Sequence, residues 1–236
     1  MSKPVIVAHR GIHHEHPENS TEALLAAWNA GVVWCECDVR GSSECEPFLL
    51  HDGTLERTSD GSGMIENTGS DAISRLKLRR EDGSISNCHV PRLETVIRAM
   101  PAGAKFLIEI KPKVLSDVVR RTLDLCNPAT CIVQSFDADI LHQSARLRPE
   151  VERMYLVDDV KDAAKVGPPA WSQVNARFNS LNEGTVEMIR SQGLRIGAWT
   201  PNEQADIQRM LELNLDMIIS DRPLAVGRLA DLRDIG

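Results

Sequence analysis

Apolar and polar positions along this chain follow two alternating rhythms. Short runs dense in Val, Ile and Leu recur at Val5 to Ala8, Val32 to Val39, Pro47 to His51, Phe106 to Ile110, Cys131 to Gln134, Arg153 to Val157, Gln173 to Ala176, Arg195 to Trp199 and Met217 to Ser220. Their length and apolar content predict strands. Between them, Thr21 to Ala30, Leu93 to Met100, Leu115 to Cys126, Ala138 to Leu147, Glu183 to Gln192 and Glu203 to Leu213 carry apolar residues at helical spacing. Alternating β and α segments in this number predict a parallel sheet closed into a TIM (β/α)8 barrel. Polar residues at the helix starts fit: Asn19 with Glu22 reads as a capping-box-like pair, Asn182 and Asn202 as caps, and Pro91 as a first-turn residue. Gly31 and Gly193 fall just past helix ends, where a left-handed residue is wanted.

Two features break the count. Nine strand candidates compete for eight places, and the link from Val39 to Pro47 is too short for a parallel crossover of a dozen or more residues. Either those two runs form a hairpin-like irregularity or one candidate lies outside the barrel. Residues 53–90 have little periodicity and many Gly, Ser, Asp and Arg residues. They read as an insertion that follows His51-Asp52 at a strand end, which places it over the barrel mouth. Long excursions of this kind in compact domains usually serve function.

Length and composition narrow the picture further. At 236 residues the chain suits one domain, read as residues 1–236 with the insertion at about 53–90. A formal charge of −7 argues against a basic surface for nucleic acid or anionic membrane. No window approaches the roughly 18 apolar residues of a membrane span, so no stable membrane insertion is expected. Met1-Ser2-Lys3-Pro4 leaves no room for a signal peptide before the first strand. The six cysteines form no CxxC pair or zinc spacing, so they read as reduced, small, partly buried residues of a cytoplasmic protein. Oligomeric state is not legible.

The strand ends carry the chemistry. In VWCECDVR, Glu36 and Asp38 share one face of a strand and Cys35 and Cys37 the other; in FLIEIKP, Glu109 and Lys111 share a face. Carboxylates on one face of a buried strand are costly unless they hold a cation or share a proton. Converging all-oxygen donors suit Mg2+ or Ca2+ rather than zinc. The alternative is pairing without metal, Glu109 with Lys111 and Glu36 with an arginine. IVAHRG and FLLHD both end an apolar run in a histidine and then a charged residue. His9 and His51 can therefore divide general acid and base work, and Arg10 offers a fork for a phosphate or carboxylate. His13, His14 and His16 lie in a loop with no alternation to orient them and read as solvent-exposed, substrate contact by one being the alternative. Trp199, ending IGAWT, is either an apolar wall of the site or barrel filler.

In order along the chain, His9-Arg10-Gly11, Pro17-Glu18-Asn19-Ser20, Glu36-x-Asp38, the run HDGTLERTSDGSG from His51, Glu109-x-Lys111, Trp199-Thr200 and Ser220-Asp221-x-Pro223 resemble the glycerophosphodiester phosphodiesterases. The resemblance runs from about residue 5 to residue 224. It implies a phospholipase-C-like barrel that hydrolyses glycerophosphodiesters to glycerol phosphate and an alcohol. It also implies one divalent cation on Glu36, Asp38 and Glu109, a histidine pair in His9 and His51, and phosphate or substrate contacts from Arg10 and Lys111. The histidine-rich loop after Gly11 departs from the family, and residues 53–90 are short, as in small bacterial members; both bear on the leaving alcohol.

The expected partner is a small glycerophosphodiester, and no nucleic acid. Rival readings are a sugar phosphodiester or lysophospholipid substrate, a non-catalytic barrel binding phosphorylated metabolites, and a metal-dependent lyase. The scarcity of large apolar side chains in residues 53–90 disfavours a lipid. The presence of both histidines and all three carboxylates disfavours the non-catalytic barrel, and a lyase would not need two histidines with an arginine. The sugar phosphodiester, which keeps the same site, stays open.

Overall fold

The computed structural model describes residues 3–165 and 170–233. Eleven strands occur among them: β1 Val5–Ala8, β2 Trp34–Gly41, β3 Pro47–Leu49, β4 Lys77–Arg79, β5 Ile85–His89, β6 Lys105–Ile110, β7 Cys131–Ser135, β8 Glu152–Val157, β9 Gln173–Arg177, β10 Arg195–Trp199 and β11 Met217–Ser220. The α-helices are α1 Thr21–Asn29, α2 Ser70–Arg75, α3 Leu93–Ala99, α4 Ser116–Leu125, α5 Ala138–Leu147, α6 Glu183–Arg190, α7 Gln204–Glu212 and α8 Pro223–Arg233. Strands β1, β2, β6, β7, β8, β9, β10 and β11 pair in parallel in that cyclic order, and β1 pairs with both β2 and β11, which closes a TIM barrel.

The ninth strand resolves as a hairpin. β3 runs antiparallel to β2, Val39 opposite Leu49 and Gly41 opposite Pro47, outside the barrel. A two-strand antiparallel turn needs only a few residues, which is why so short a link suffices. Residues 53–90 are more ordered than their lack of periodicity implies. They hold α2 and the β4–β5 hairpin, and Leu55, Ile65, Ile73, Leu78, Cys88 and Val90 close a small core with Phe48 and Leu50. The few large apolar residues here are thus used internally. Helix α8 was not anticipated by the sequence pattern. The β8-to-β9 link passes through a 3-10 helix, Val160–Lys165.

Alternation along each strand divides the interior. Cys35, Cys37 and Val39 face outward into the apolar layer beneath the helices, with Leu24, Phe106 and Ile108. Val7, Leu107, Ile132, Met154, Met217 and Ile219 fill the barrel, with Trp34 and Trp199 packed against them. Asn175, fully buried within it, donates to Gln134 Oε1 at 3.1 Å and accepts from Gln173 Nε2 at 2.6 Å. Gly197 makes this possible, because a Cβ there would stand 2.3 Å from Asn175 Oδ1. The free cysteines are buried except Cys45, which is partly exposed.

Two predicted caps have other work. Ser20, not Asn19, caps α1 by accepting from Ala23 N–H, and α7 begins after Glu203 without a side-chain cap, Asn202 being engaged elsewhere. Pro91 lies before Arg92, the residue that precedes α3. Asn182 does cap α6 in a reciprocal pair with Thr185, and Gly31 and Gly193 take left-handed φ values of 87° and 75°.

Candidate active site

Strand direction puts the C-terminal ends of β1, β2, β6 and β10 at one mouth, where a cavity of about 230 Å³ opens. His9, Arg10, Glu36, His51, Glu109, Lys111 and Trp199 all line it, together with Gln134, Phe136, Leu156, Arg177, Thr200 and Ile219. Asp38 is fully buried behind this lining. The strand ends and the turns that follow them bring every predicted site residue to one place.

The floor is ionic. Glu36, Asp38 and Glu109 each offer an oxygen within 4.8 Å of the others, and all three are buried. Lys111 Nζ sits 2.7 Å from both Asp38 Oδ1 and Glu109 Oε1, so the predicted Glu109–Lys111 pairing does form. Arg10 Nε lies 3.0 Å from Asp38 Oδ2, while its backbone N–H donates to Glu36 Oε2 at 3.1 Å. Arg10 holds that N–H in place from the left-handed region, at φ 55°, a strained setting for a non-glycine residue. The next residue, Gly11, lies against α1; a Cβ would meet the Ala23 carbonyl carbon at 2.5 Å. Asn19, at φ 58°, clamps Asp38 from both sides, donating Nδ2 to Oδ2 at 2.8 Å and accepting the Asp38 N–H at 3.0 Å. An asparagine tolerates this backbone conformation better than most residues.

The charges do not balance without help. Three carboxylates face two cations, Arg10 and Lys111. Burial pushes the Asp38 carboxyl up, but Arg10 and then Lys111 outweigh it and hold the group well below the usual carboxylate range. Burial, then the Asp38 and Glu109 charges, push Glu36 well above it. Burial and Asp38 likewise raise Glu109 to about 7. A hard divalent cation suits this donor set, which is all oxygen, converging and short of positive charge.

Each histidine is backed by its own carboxylate. His9 Nδ1 lies 2.6 Å from Asp221 Oδ1, and its Nε2 points to Glu36 Oε2 at 4.0 Å. His51 Nδ1 lies 2.6 Å from Asp52 Oδ1. Burial, then Arg10, lowers the His9 pKa below 6.5 against the pull of Asp221. Burial lowers His51 too, with Arg10 and Lys111 adding to it against Asp38. Both rings are thereby biased to the neutral form at pH 7. Arg57 binds Asp52 and Glu18, and Glu18 in turn accepts from Arg10 at 3.0 Å, which ties the insertion to the first loop.

Several of these partners were not assigned from sequence. Asp52 and Asp221 stood inside the quoted motifs without a role, and Asn19 and Asn202 were read as caps. His13 corrects the reading of its loop: it is only 20% exposed, with Nε2 3.1 Å from Asp221 Oδ1, whereas His14 is 66% exposed. Trp199 is a half-buried wall rather than filler alone, its ring 5.4 Å edge-on from Phe136 with Arg177 stacked at 5.2 Å.

A barrel that gathers carboxylates, two carboxylate-backed histidines and two cations at its C-terminal mouth is equipped as a phosphoester-cleaving enzyme. Comparison with known proteins makes this specific. The sequence model of the glycerophosphoryl diester phosphodiesterase family matches residues 9–225; the chain belongs to that family and is a phosphoric diester hydrolase. The Bacillus subtilis protein YqiK is 28% identical, over 92% of this chain and 95% of its own. A B. subtilis glycerophosphodiester phosphodiesterase is 24% identical, over 92% and 83%. Among solved structures, a phosphodiesterase from Oleispira antarctica, in complex with the product sn-glycerol-3-phosphate, superposes with a TM-score of 0.87 at 22% identity, covering 97% of each chain. A glycerophosphodiester phosphodiesterase from Agrobacterium tumefaciens gives 0.80 at 26% identity, over 97% and 100%. No helix among the described residues is long and apolar enough to cross a membrane.

Proposed function

We propose that this protein hydrolyses glycerophosphodiesters to glycerol 3-phosphate and an alcohol, with Glu36, Asp38 and Glu109 holding one Mg2+ or Ca2+ and His9 and His51 as the acid–base pair. The observation that carries the reading is the pairing of His9 with Asp221 and of His51 with Asp52, each at 2.6 Å, around one cavity floored by carboxylates. The O. antarctica relative's product fits the same chemistry. Bound at the carboxylates, a hard divalent cation supplies charge neutralisation and lowers the pKa of a nearby hydroxyl.

The chain's own groups do the rest. Asp221 and Asp52 fix the Nδ1 side of each ring, leaving Nε2 for the substrate. One histidine takes the proton of the substrate's free glycerol hydroxyl, which attacks phosphorus in line and expels the alcohol. The other enters the step as the imidazolium, the minority form of its ring at pH 7, and gives its Nε2 proton to the departing oxygen. A cyclic glycerol phosphate results, and water opens it with the two histidines exchanging roles. Arg10 and Lys111 stabilise the phosphoryl charge. Trp199 and Phe136 give the glycerol an apolar wall.

A product assay on a panel of glycerophosphodiesters, with and without chelator, tests the whole reading. Glycerol 3-phosphate should appear only with cation present. Removing or methylating the free hydroxyl should leave binding intact and nearly abolish turnover, because the advantage of intramolecular attack is lost. Equal hydrolysis of such a deoxy analogue would make water the nucleophile.

A further inference from the structure

The loop histidines are not absorbed by that chemistry, and one of them has a defined setting. His9 Nδ1 and His13 Nε2 both approach Oδ1 of Asp221, at 2.6 and 3.1 Å. The three residues offer donor atoms all within 4.8 Å of one another. The carboxylate is fixed from behind. Its Oδ2 accepts from Asn202 Nδ2 at 2.6 Å, and Asn202 Oδ1 accepts the Asp221 N–H at 3.0 Å and the Ser220 hydroxyl at 3.1 Å. Outer hydrogen bonds of this type orient metal-binding carboxylates.

We propose that His9, His13 and Asp221 form a second metal site, distinct from the all-carboxylate group, that takes a borderline divalent ion such as Zn2+ and silences the enzyme. The donors decide the class of ion: two imidazole nitrogens and one oxygen favour zinc-type ions, whereas three carboxylates favour Mg2+ or Ca2+. The spacing is close to what such an ion needs. Zinc bonds of about 2.0–2.1 Å in a tetrahedral site set ligand atoms about 3.3 Å apart. His13 and Asp221 nearly meet that already, and His9 must withdraw from Asp221 by less than about 1 Å. Side-chain exposures of 19% for His9, 20% for His13 and 29% for Asp221 leave an approach for the ion and for a water as fourth ligand.

Silencing rests on the reading of His9 given under Proposed function. With Nδ1 on a metal, the single proton of the neutral ring sits on Nε2, the nitrogen that faces Glu36. His9 can then no longer accept a proton there. The first loop thus carries a histidine that is dispensable for turnover and specific for inhibition.

The test uses the full-length protein saturated with Mg2+, with Zn2+ as inhibitor and Co2+ as the visible probe. Zinc should stop wild-type turnover, and His13→Ala and His13→Gln should each require at least about 10-fold more, the lower bound for loss of a ligand judged from outer-shell losses. Both variants should keep full turnover in the absence of zinc. Cobalt should give the intense band of a four- or five-coordinate, nitrogen-bound ion in the wild type and lose it in both variants. Equal zinc sensitivity in all three proteins, with unchanged cobalt spectra, would overturn the site. A His13-dependent cobalt band without loss of turnover keeps the site and overturns instead the role assigned to His9.

Discussion

Replacing Glu109 by glutamine should stabilise the cation-free protein, although it removes a carboxylate from the working centre. Glu109 is 6% exposed and titrates in the folded chain at about 7, against an ordinary 4.5, because burial and Asp38 both disfavour its charge. A carboxylate raised in this way adds no cost below pH 4.5, where it is protonated in both states. Its cost grows as pH climbs and is complete above about 7. At about 1.4 kcal/mol per pH unit, the displacement is worth about 3 kcal/mol at pH 8. Glutamine has the same size and carries no charge, so the variant escapes that cost.

For a chain of this length, 1 kcal/mol shifts Tm by about 2–4 °C, so Glu109→Gln should melt about 6–12 °C above the wild type at pH 8 in chelator. At pH 4 the two should nearly coincide, since the carboxyl then holds its proton in the folded chain and largely in the unfolded one as well. Saturating cation should reverse the order, because only the wild type gains the full binding term. Scanning calorimetry at both pH values, with and without Mg2+, checks this. A drop in Tm at pH 8 would refute the reasoning. It would mean that Lys111, 2.7 Å away, already satisfies the carboxylate and that the cluster lacks no positive charge.

His9→Ala and His51→Ala should each lower kcat by about 10²- to 10⁴-fold, and the double variant by less than the product, because the pair acts as a unit; near-normal turnover in either would make that histidine structural. Asn19→Ala should weaken cation binding about 10- to 100-fold, read by titration calorimetry, since Asp38 loses both of its Asn19 hydrogen bonds. Gly11→Ala should lower Tm severely, by placing a Cβ 2.5 Å from the α1 backbone at a φ of 84°; an unchanged melting curve would show that the first loop can back away from α1.

The barrel was legible because its strands are short apolar runs and its helices keep one apolar stripe, and both patterns survive without knowledge of partners. The insertion was not. Leu55, Ile65, Ile73, Leu78, Cys88 and Val90 follow neither period, yet they meet in one cluster because the chain doubles back through the β4–β5 hairpin. Their burial is a product of tertiary folding that local spacing does not encode.

The site divides along the same line. Glu36 with Asp38, and Glu109 with Lys111, could be set on shared faces because alternation on a strand dictates which face each occupies, and the structure brings them together. Asn19 and Asn202 misled because a short polar residue before a helix looks like a cap whatever it binds. Here Ser20 takes the cap of α1, which frees Asn19 to grip Asp38. His13 lies in a loop with no period, and its direction is set by Asp221, 208 positions away in sequence and beside it only because β11 closes against β1. The groups proposed to do chemistry were visible as strand-end residues. Of the groups that hold them, Asp52 follows His51 directly. Asp221 and Asn202 reach His9 only across the closure of β11 against β1, and only the closed barrel identifies those two.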